Sequence, residues 1–156
     1  MATIVTCDSR HHSTREIADY IVEVLRTTNG SAAVFAELDE VGNNIDNIDA
    51  LVVLAPIYQG KFSEVASRVI LANQAELARK SLFVAAVGIA EQLPQDVSDV
   101  LTSYRPRELG YFRGKIDPSV LSGAEKRHVD ESEYGDFRDW DAIKRWAQTI
   151  GNRGAN

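Results

Sequence analysis

The chain has 156 residues, enough for one domain with a hydrophobic core, and its 44% apolar and 26% charged residues are normal for a soluble globular protein. The net charge of −6 argues against nonspecific binding to nucleic acid or an anionic membrane and suits docking onto a basic partner. No apolar run approaches the ~20 residues that span a bilayer, no signal peptide is evident, and the single cysteine, Cys7, fits a reducing cytoplasm.

The beginning of the chain is predicted to form a strand, a loop and a helix. A β-branched run over residues 3–6 ends before Asp8, and apolar residues recur at helical spacing from Ile17 to Leu25. The loop is rich in hydroxyl and imidazole groups and leads to a helix N-terminus, whose unpaired N–H groups and dipole attract phosphate. The sequence therefore predicts a phosphate site between residues 9 and 14. A capping box formed by Ser13 and Glu16 is the alternative, and it requires no ligand.

Strands and helices alternate along the rest of the chain. Predicted strands cover residues 3–7, 32–36, 50–55, 82–87 and 109–116, and predicted helices cover 13–27, 62–78, 94–104 and 139–150. The strands at 50–55 and 82–87 are apolar on both faces, which is typical of the centre of a parallel sheet. Residues 117–137 have no clear period, so we expect a long excursion with at most a fragment of helix. One domain over residues 1–150 and a tail over 151–156 are predicted.

This alternation predicts an α/β fold, a three-layer doubly wound parallel sheet of five strands. Ligands in such folds bind beyond the carboxyl ends of the strands, at the switch point of the strand order. Four loops converge there, at residues 7–14, 37–44, 56–61 and 88–93.

Two of these loops resemble those of flavodoxins. Residues 9–14, followed by Arg-Glu-Ile-Ala at 15–18, are similar to the flavodoxin phosphate loop, and Ala-Pro-Ile-Tyr-Gln-Gly at 55–60 resembles the second flavin loop. Within the family, the sequence most resembles flavodoxin-domain proteins of the menaquinone-dependent protoporphyrinogen dehydrogenase type. The shared features are the Thr-Arg-Glu-Ile-Ala helix start, the Ala-x-Ile-x-x-Gly loop and Asp139-Trp140 before the last helix.

The resemblance implies strand order 2-1-3-4-5 and FMN as cofactor. It implies phosphate contacts from Ser9, Ser13, Thr14 and loop amides, with the isoalloxazine ring between residues 56–61 and 88–93. Tyr58 is the candidate for stacking on the ring. Gly60 either lets a peptide approach flavin N5 or is a turn glycine. The implied cofactor-binding residues are Ser9, Arg10, His11, His12, Ser13, Thr14, Pro56, Ile57, Tyr58, Gln59, Gly60, Gly88 and Ile89.

The sequence departs from the flavodoxin pattern at two places. His12 stands where the family usually has a glycine, and histidine tolerates positive φ less well than glycine does. The loop at 88–93 has no aromatic residue to stack on the flavin. Three functions therefore remain open: an FMN redox protein that exchanges electrons with a protein partner or acts as a small flavin reductase, a quinone-linked protoporphyrinogen dehydrogenase, and a binding module without cofactor.

Other chemistry fits the sequence poorly. Low-molecular-weight phosphatases and arsenate reductases also place a cysteine after the first strand, but they need an arginine six positions on, where this chain has Ser13. Ala55 and Pro56 stand where a receiver domain would have its phosphoacceptor aspartate. His11 and His12 are adjacent, so they point apart and make a poor metal site.

Overall fold

A computed structural model describes residues 2–9 and 11–154 of the protein. The strands are β1 Ala2–Cys7, β2 Ala32–Phe35, β3 Ala50–Tyr58, β4 Lys61–Phe62, β5 Ser81–Gly88, β6 Glu108–Arg113, β7 Lys115–Ile116 and β8 Gly135–Asp136. The helices are α1 Ser13–Asn29, α2 Val41–Asn44, α3 Glu64–Ala72, α4 Gln74–Leu77, α5 Gln95–Ser103, α6 Gly123–Lys126 and α7 Trp140–Gly154. In this described part of the chain, no helix combines the length and apolar character needed to cross a bilayer.

Five strands form a parallel sheet in the order β2-β1-β3-β5-β6. The two-residue β4 lies off this path and pairs antiparallel with the end of β3. Without β4, the five main strands have the order 2-1-3-4-5. The predicted doubly wound α/β fold is therefore confirmed, and its switch point lies between β1 and β3.

Two apolar layers cover the two faces of the sheet. Val52 and Leu54 of β3 face one layer, and Leu51 and Val53 face the other, as the alternation of a strand requires. Helices α1 and α7 supply the first layer, with Ile17, Ile21, Leu25, Ile143 and Ile150. Helices α2 to α5 supply the second, with Val41, Ala66, Ile70, Leu77, Val97 and Leu101. These four side chains are fully buried, as expected for a strand at the centre of the fold.

Two helices differ from the sequence prediction. The helix expected over residues 62–78 is split at Asn73, because the Asn73 side-chain amide donates to the Val69 carbonyl at 2.8 Å and occupies the turn where the helix would continue. The last helix continues through the residues assigned to a tail and ends at Gly154, with Gly151 buried. Residues 155 and 156 of that tail lie outside the described part.

The excursion, residues 117–137, is irregular, as predicted. Its longest helix is α6, of four residues, and two 3-10 turns flank α6. Strands β7 and β8 pair antiparallel and bring its two ends together. After β8, the Arg138 guanidinium bonds the Asp136 carboxylate at 2.8 Å and reaches the Ser13 carbonyl and Glu16 carboxylate at 3.4 Å each. The excursion is thus fastened to the first turn of α1.

Candidate functional site

A cavity of about 160 Å³ lies at the carboxyl edge of the sheet, where the loops after β1, β3 and β5 meet the excursion. Its lining combines hydroxyl groups from the first loop with apolar groups from the other three segments. The lining residues are Ser9, His11, Ser13, Thr14, Glu16, Pro56, Ile57, Tyr58, Val87, Gly88, Ile89, Gly114, Lys115, Ile116, Asp117, Val120, Leu121, Glu125 and Val129. The structure therefore brings together most of the residues that the resemblance implies.

The first loop leaves the start of α1 open towards this cavity. The residue that caps the helix is His12, in a left-handed conformation with φ 65°, and its side chain makes no capping hydrogen bond. Ser13 is already helical, so the capping box proposed for Ser13 and Glu16 is wrong. The first-turn N–H groups of Ser13 and Thr14 have no acceptor within the helix. They can receive an anion beside the buried Thr14 side chain.

The hydroxyl of Ser9 has a local role as well. Ser9 Oγ accepts a long hydrogen bond of 3.4 Å from the Arg15 N–H, which ties the loop to the third residue of α1. Arg10, which the resemblance also implies, lies outside the described residues. His12 is exposed and does not line the cavity. It therefore affects the site through its left-handed backbone, which sets the course of the loop into α1.

Replacing His12 by glycine is expected to stabilise the protein and to tighten binding of the FMN that the resemblance implies. A left-handed conformation costs a residue with a Cβ about 1–2 kcal/mol, and glycine removes that cost. We expect up to ~1 kcal/mol of added stability after the greater chain entropy of glycine is subtracted. Urea unfolding and FMN titration measure the two effects.

His12→Ala is the matched control, since it removes the imidazole but keeps the strained backbone. The strain explanation requires glycine and alanine to differ. Equal weakening of FMN binding by both substitutions would instead assign the imidazole a direct contact with the ligand.

The second loop contributes one side of the cavity, through Pro56, Ile57 and Tyr58. Gln59 and Gly60 lie outside the cavity and form the tight turn between β3 and β4, with φ 51° and 77° and Tyr58 paired to Lys61. Two positive φ values in a two-residue hairpin loop match a type I′ turn, which favours glycine. This geometry accounts for Gly60 as a turn glycine. Gly88 and Ile89 supply the third side.

Glu125 is a site residue that the sequence analysis did not identify. Its carboxylate Oε2 lies 2.8 Å from His11 Nε2 and accepts a hydrogen bond from the Tyr58 hydroxyl at 3.3 Å. The Ser122 backbone N–H and, next in importance, the His11 ring lower the pKa of Glu125 to about 2. An ionised carboxylate of the excursion therefore joins His11 of the loop after β1 to Tyr58 at the end of β3.

The excursion also supplies apolar surface to the cavity through Val120, Leu121 and Val129. The sequence signal for this role was the presence of three apolar residues in a stretch that is otherwise polar and acidic. It was insufficient because irregular segments have no period from which to infer which side chains point inwards.

Cys7 is part of the core. Burial, chiefly, raises the pKa of its thiol to about 12, so the thiolate that nucleophilic catalysis requires is absent at neutral pH. Among the described residues, no group of three or more histidine, cysteine or acidic side chains is arranged to hold a metal ion.

The fold is that of a flavodoxin-like α/β protein, with an open helix start at α1 and a cavity at the switch point. The flavodoxin domain family matches residues 4–134, and the chain belongs to this family. A search of curated proteins finds no match.

Solved structures of the same fold are similar at low identity. Rubredoxin:oxygen oxidoreductase from Desulfovibrio gigas is 15% identical, with a TM-score of 0.67 over 99% of this chain and 36% of its own. A short-chain flavodoxin associated with a bacterial microcompartment is 17% identical, with a TM-score of 0.67 over 99% of both chains. The apo form of an NADH:FMN oxidoreductase is 15% identical, with a TM-score of 0.61 over 95% of this chain and 89% of its own. The chain thus spans about a third of the first of these proteins and nearly all of the other two.

Proposed function

We propose that this protein binds FMN and exchanges electrons with a protein partner. The observation that carries the proposal is the open start of α1, with the Ser13 and Thr14 N–H groups and hydroxyls facing the same cavity as Tyr58 and Gly88. The phosphate belongs at residues 9–14, and the ring belongs against Tyr58 and the apolar excursion residues. When bound, FMN supplies electron transfer at its isoalloxazine ring.

The cavity is smaller than the ligand pockets of most proteins, which have volumes of about 300–1,000 Å³. At about 160 Å³ it accepts the ring only if one wall moves. The excursion is the irregular wall of the cavity, and Glu125 joins its middle to His11 and Tyr58 through side-chain hydrogen bonds. We infer that the excursion swings outwards when FMN enters and then covers the ring.

Titration of the purified protein with FMN tests the proposal. Binding quenches the flavin fluorescence and shifts the visible absorption bands, and both changes are expected to saturate. If neither change occurs at tens of micromolar FMN, the redox function fails and a binding module without cofactor becomes the better explanation.

The charges of the chain favour a basic redox partner. The cavity is lined by three acidic residues, Glu16, Asp117 and Glu125, together with Lys115 and His11. The whole chain has a net charge of −6. Complementary charge speeds association and makes its rate fall with added salt. We therefore expect the rate of electron transfer to the partner to fall as salt is added.

A quinone-linked protoporphyrinogen dehydrogenase is the alternative that the apolar lining of the excursion favours. Such an enzyme must accept a substrate with carboxylate groups, and the excursion also carries Asp117, Glu125, Asp130, Glu131, Glu133 and Asp136 against Lys126 and Arg127. We therefore expect no porphyrin fluorescence above the autoxidation rate when FMN-loaded protein, protoporphyrinogen and a menaquinone analogue are mixed in anaerobic buffer. Robust turnover that depends on the quinone would replace the electron-carrier proposal.

A further inference from the structure

A second cavity lies next to the cavity at the start of α1 and shares part of its wall. It has a volume of about 570 Å³ and is lined by His11, Tyr58, Glu125 and His128, with Gln59 and Ser122 at its edge. We name it the outer cavity, and we name the cavity of about 160 Å³ the inner cavity. His11, Tyr58 and Glu125 line both, so these three side chains form a partition between the two spaces.

The Glu125 carboxylate holds this partition and uses both of its oxygens to do so. Oε2 lies 2.8 Å from His11 Nε2 and accepts from the Tyr58 hydroxyl at 3.3 Å. Oε1 accepts from the Ser122 N–H at 3.0 Å, while the Glu125 N–H donates to the Ser122 hydroxyl at 3.1 Å. The two bonds with Ser122 are a capping box at the start of α6. The capping box therefore fixes the carboxylate in the orientation that closes the partition.

The two ends of the excursion are fastened by contacts that do not involve Glu125. Strand β7 pairs with β8, and the Phe137 N–H donates to the Gly114 carbonyl at 3.0 Å. Glu125 lies near the middle of the excursion, between these ends. If its contacts with His11 and Tyr58 break, the middle can move while the ends stay in place.

The strength of the contact between His11 and Glu125 depends on the charge of the histidine. The Ser122 N–H and, next in importance, the His11 ring lower the pKa of Glu125 to about 2, so the carboxylate is ionised at neutral pH. An ionised carboxylate only accepts hydrogen bonds, so His11 Nε2 carries the hydrogen. The bond is stronger when the ring is an imidazolium, because both partners are then charged. Histidine ordinarily changes charge between pH 5 and 8, whereas the Glu125 charge is lost only as the pH falls towards 2.

We propose that Glu125 is a gate residue, which separates the inner and outer cavities while it bonds His11 and joins them when that bond breaks. The open gate gives the ring of FMN a path through the outer cavity, and in this respect the inference rests on the proposed function. The inner cavity alone is smaller than the usual small-molecule pocket of about 300–1,000 Å³, and the outer cavity supplies the missing volume. The gate opens more readily as the pH rises, because loss of the histidine charge weakens the bond that holds it shut.

Other titratable groups share the cavities with His11, so their effects have to be separated from its own. The inner cavity is also lined by Glu16, Lys115 and Asp117, and the outer cavity by Tyr58 and His128. Of these residue types, only histidine ordinarily changes charge near neutral pH. His128 is exposed, and His128→Gln shows how much of any pH dependence it contributes.

Hydrogen exchange of the ligand-free protein tests the gate by itself. Glu125→Gln removes the charge but keeps a residue type that also forms a capping box, so α6 is retained. At pH 6 the amides of residues 118–133 are expected to exchange roughly two- to fivefold faster in Glu125→Gln and in His11→Gln than in the parent, which is the range for a partly exposed ion pair. At pH 8 this difference from the parent should become smaller. Glu131→Gln removes an exposed carboxylate of the same excursion outside both cavities, and it should exchange like the parent.

The rate of riboflavin binding, measured by stopped-flow fluorescence quenching, tests the path through the outer cavity. Riboflavin is used because the phosphate of FMN changes charge near pH 6, which would obscure the effect of the histidine. The association rate constant of the parent is expected to rise by the same factor, roughly two- to fivefold, between pH 6 and pH 8. That of Glu125→Gln should be high at both pH values, and His128→Gln should keep the pH dependence of the parent.

The gate is overturned if His11→Gln and Glu125→Gln exchange like the parent at pH 6, if Glu131→Gln exchanges as fast as they do, or if His128→Gln removes the pH dependence. Faster exchange without faster riboflavin association would overturn the path through the outer cavity. If neither riboflavin nor FMN binds, the proposed function fails, and hydrogen exchange alone still decides whether the gate exists.

Discussion

Thr14→Val is expected to weaken FMN binding about ten- to hundredfold while leaving riboflavin binding nearly unchanged. Thr14 is buried in the first turn of α1 and lines the cavity, so its hydroxyl is placed to donate to the phosphate. The loss of a hydrogen bond to a charged group costs ~1.5–3 kcal/mol, which gives this range of affinity. Riboflavin lacks the phosphate and therefore reports only on the ring. Fluorescence quenching measures both Kd values.

Thr27→Val is the matched control on the same helix. Thr27 is exposed near the other end of α1, where its hydroxyl donates to the Glu23 carbonyl at 2.9 Å. This substitution is expected to change neither affinity. Equal losses of FMN and riboflavin in Thr14→Val would show that Thr14 only supports the helix, and the phosphate assignment would then fail.

Gly110→Ala is expected to destabilise the protein by about 1–3 kcal/mol, as overpacking of a core does. A Cβ at residue 110 of β6 would lie 2.8 Å from two atoms of the Trp146 ring. The ring cannot easily retreat, because its edge packs against Phe112 with the ring centroids 5.6 Å apart. For a domain of this size the melting temperature should fall by roughly 2–12 °C. Calorimetry or urea unfolding measures the change.

Gly123→Ala provides the comparison for Gly110. A Cβ at residue 123 meets no atom within 4 Å, and the residue begins α6 without a positive φ. This substitution should leave the stability unchanged or raise it slightly. If Gly110→Ala unfolds at the same urea concentration as the parent, then α7 packs more loosely on the sheet than its contacts indicate.

The sequence was sufficient to predict the sheet because its strongest signals are local. Residues 50–55 and 82–87 are continuous apolar runs, and the structure places them in the two buried central strands β3 and β5. The loop between β1 and α1 followed from the abrupt change at Asp8 and the helical period that begins at Ile17. In each case neighbouring residues alone carried the information.

The features that the sequence did not predict depend on contacts between residues that are far apart in the chain. Glu125 meets His11 across 114 positions of the chain, and no local pattern predicts such a pairing. The left-handed backbone of His12 was suggested only by the resemblance, and it makes His12, in place of Ser13, the residue that caps α1. A further cavity, at the starts of β3, β5 and β6, likewise gathers residues that are scattered between positions 48 and 107 of the sequence.

The placement of β1 between β2 and β3 has a consequence for the order of events during synthesis. The backbone hydrogen bonds that join Thr3–Cys7 of β1 to Ala50–Leu54 of β3 cannot form until β3 has been synthesised. Parallel strands that are far apart in the sequence pair slowly, and β1 remains exposed to other chains until β3 is available. We expect fragments that end before residue 50 to aggregate on release from the ribosome. Translation pauses placed after β3 should raise the yield of folded protein, because the three strands at the switch point can then assemble while the rest is still being made.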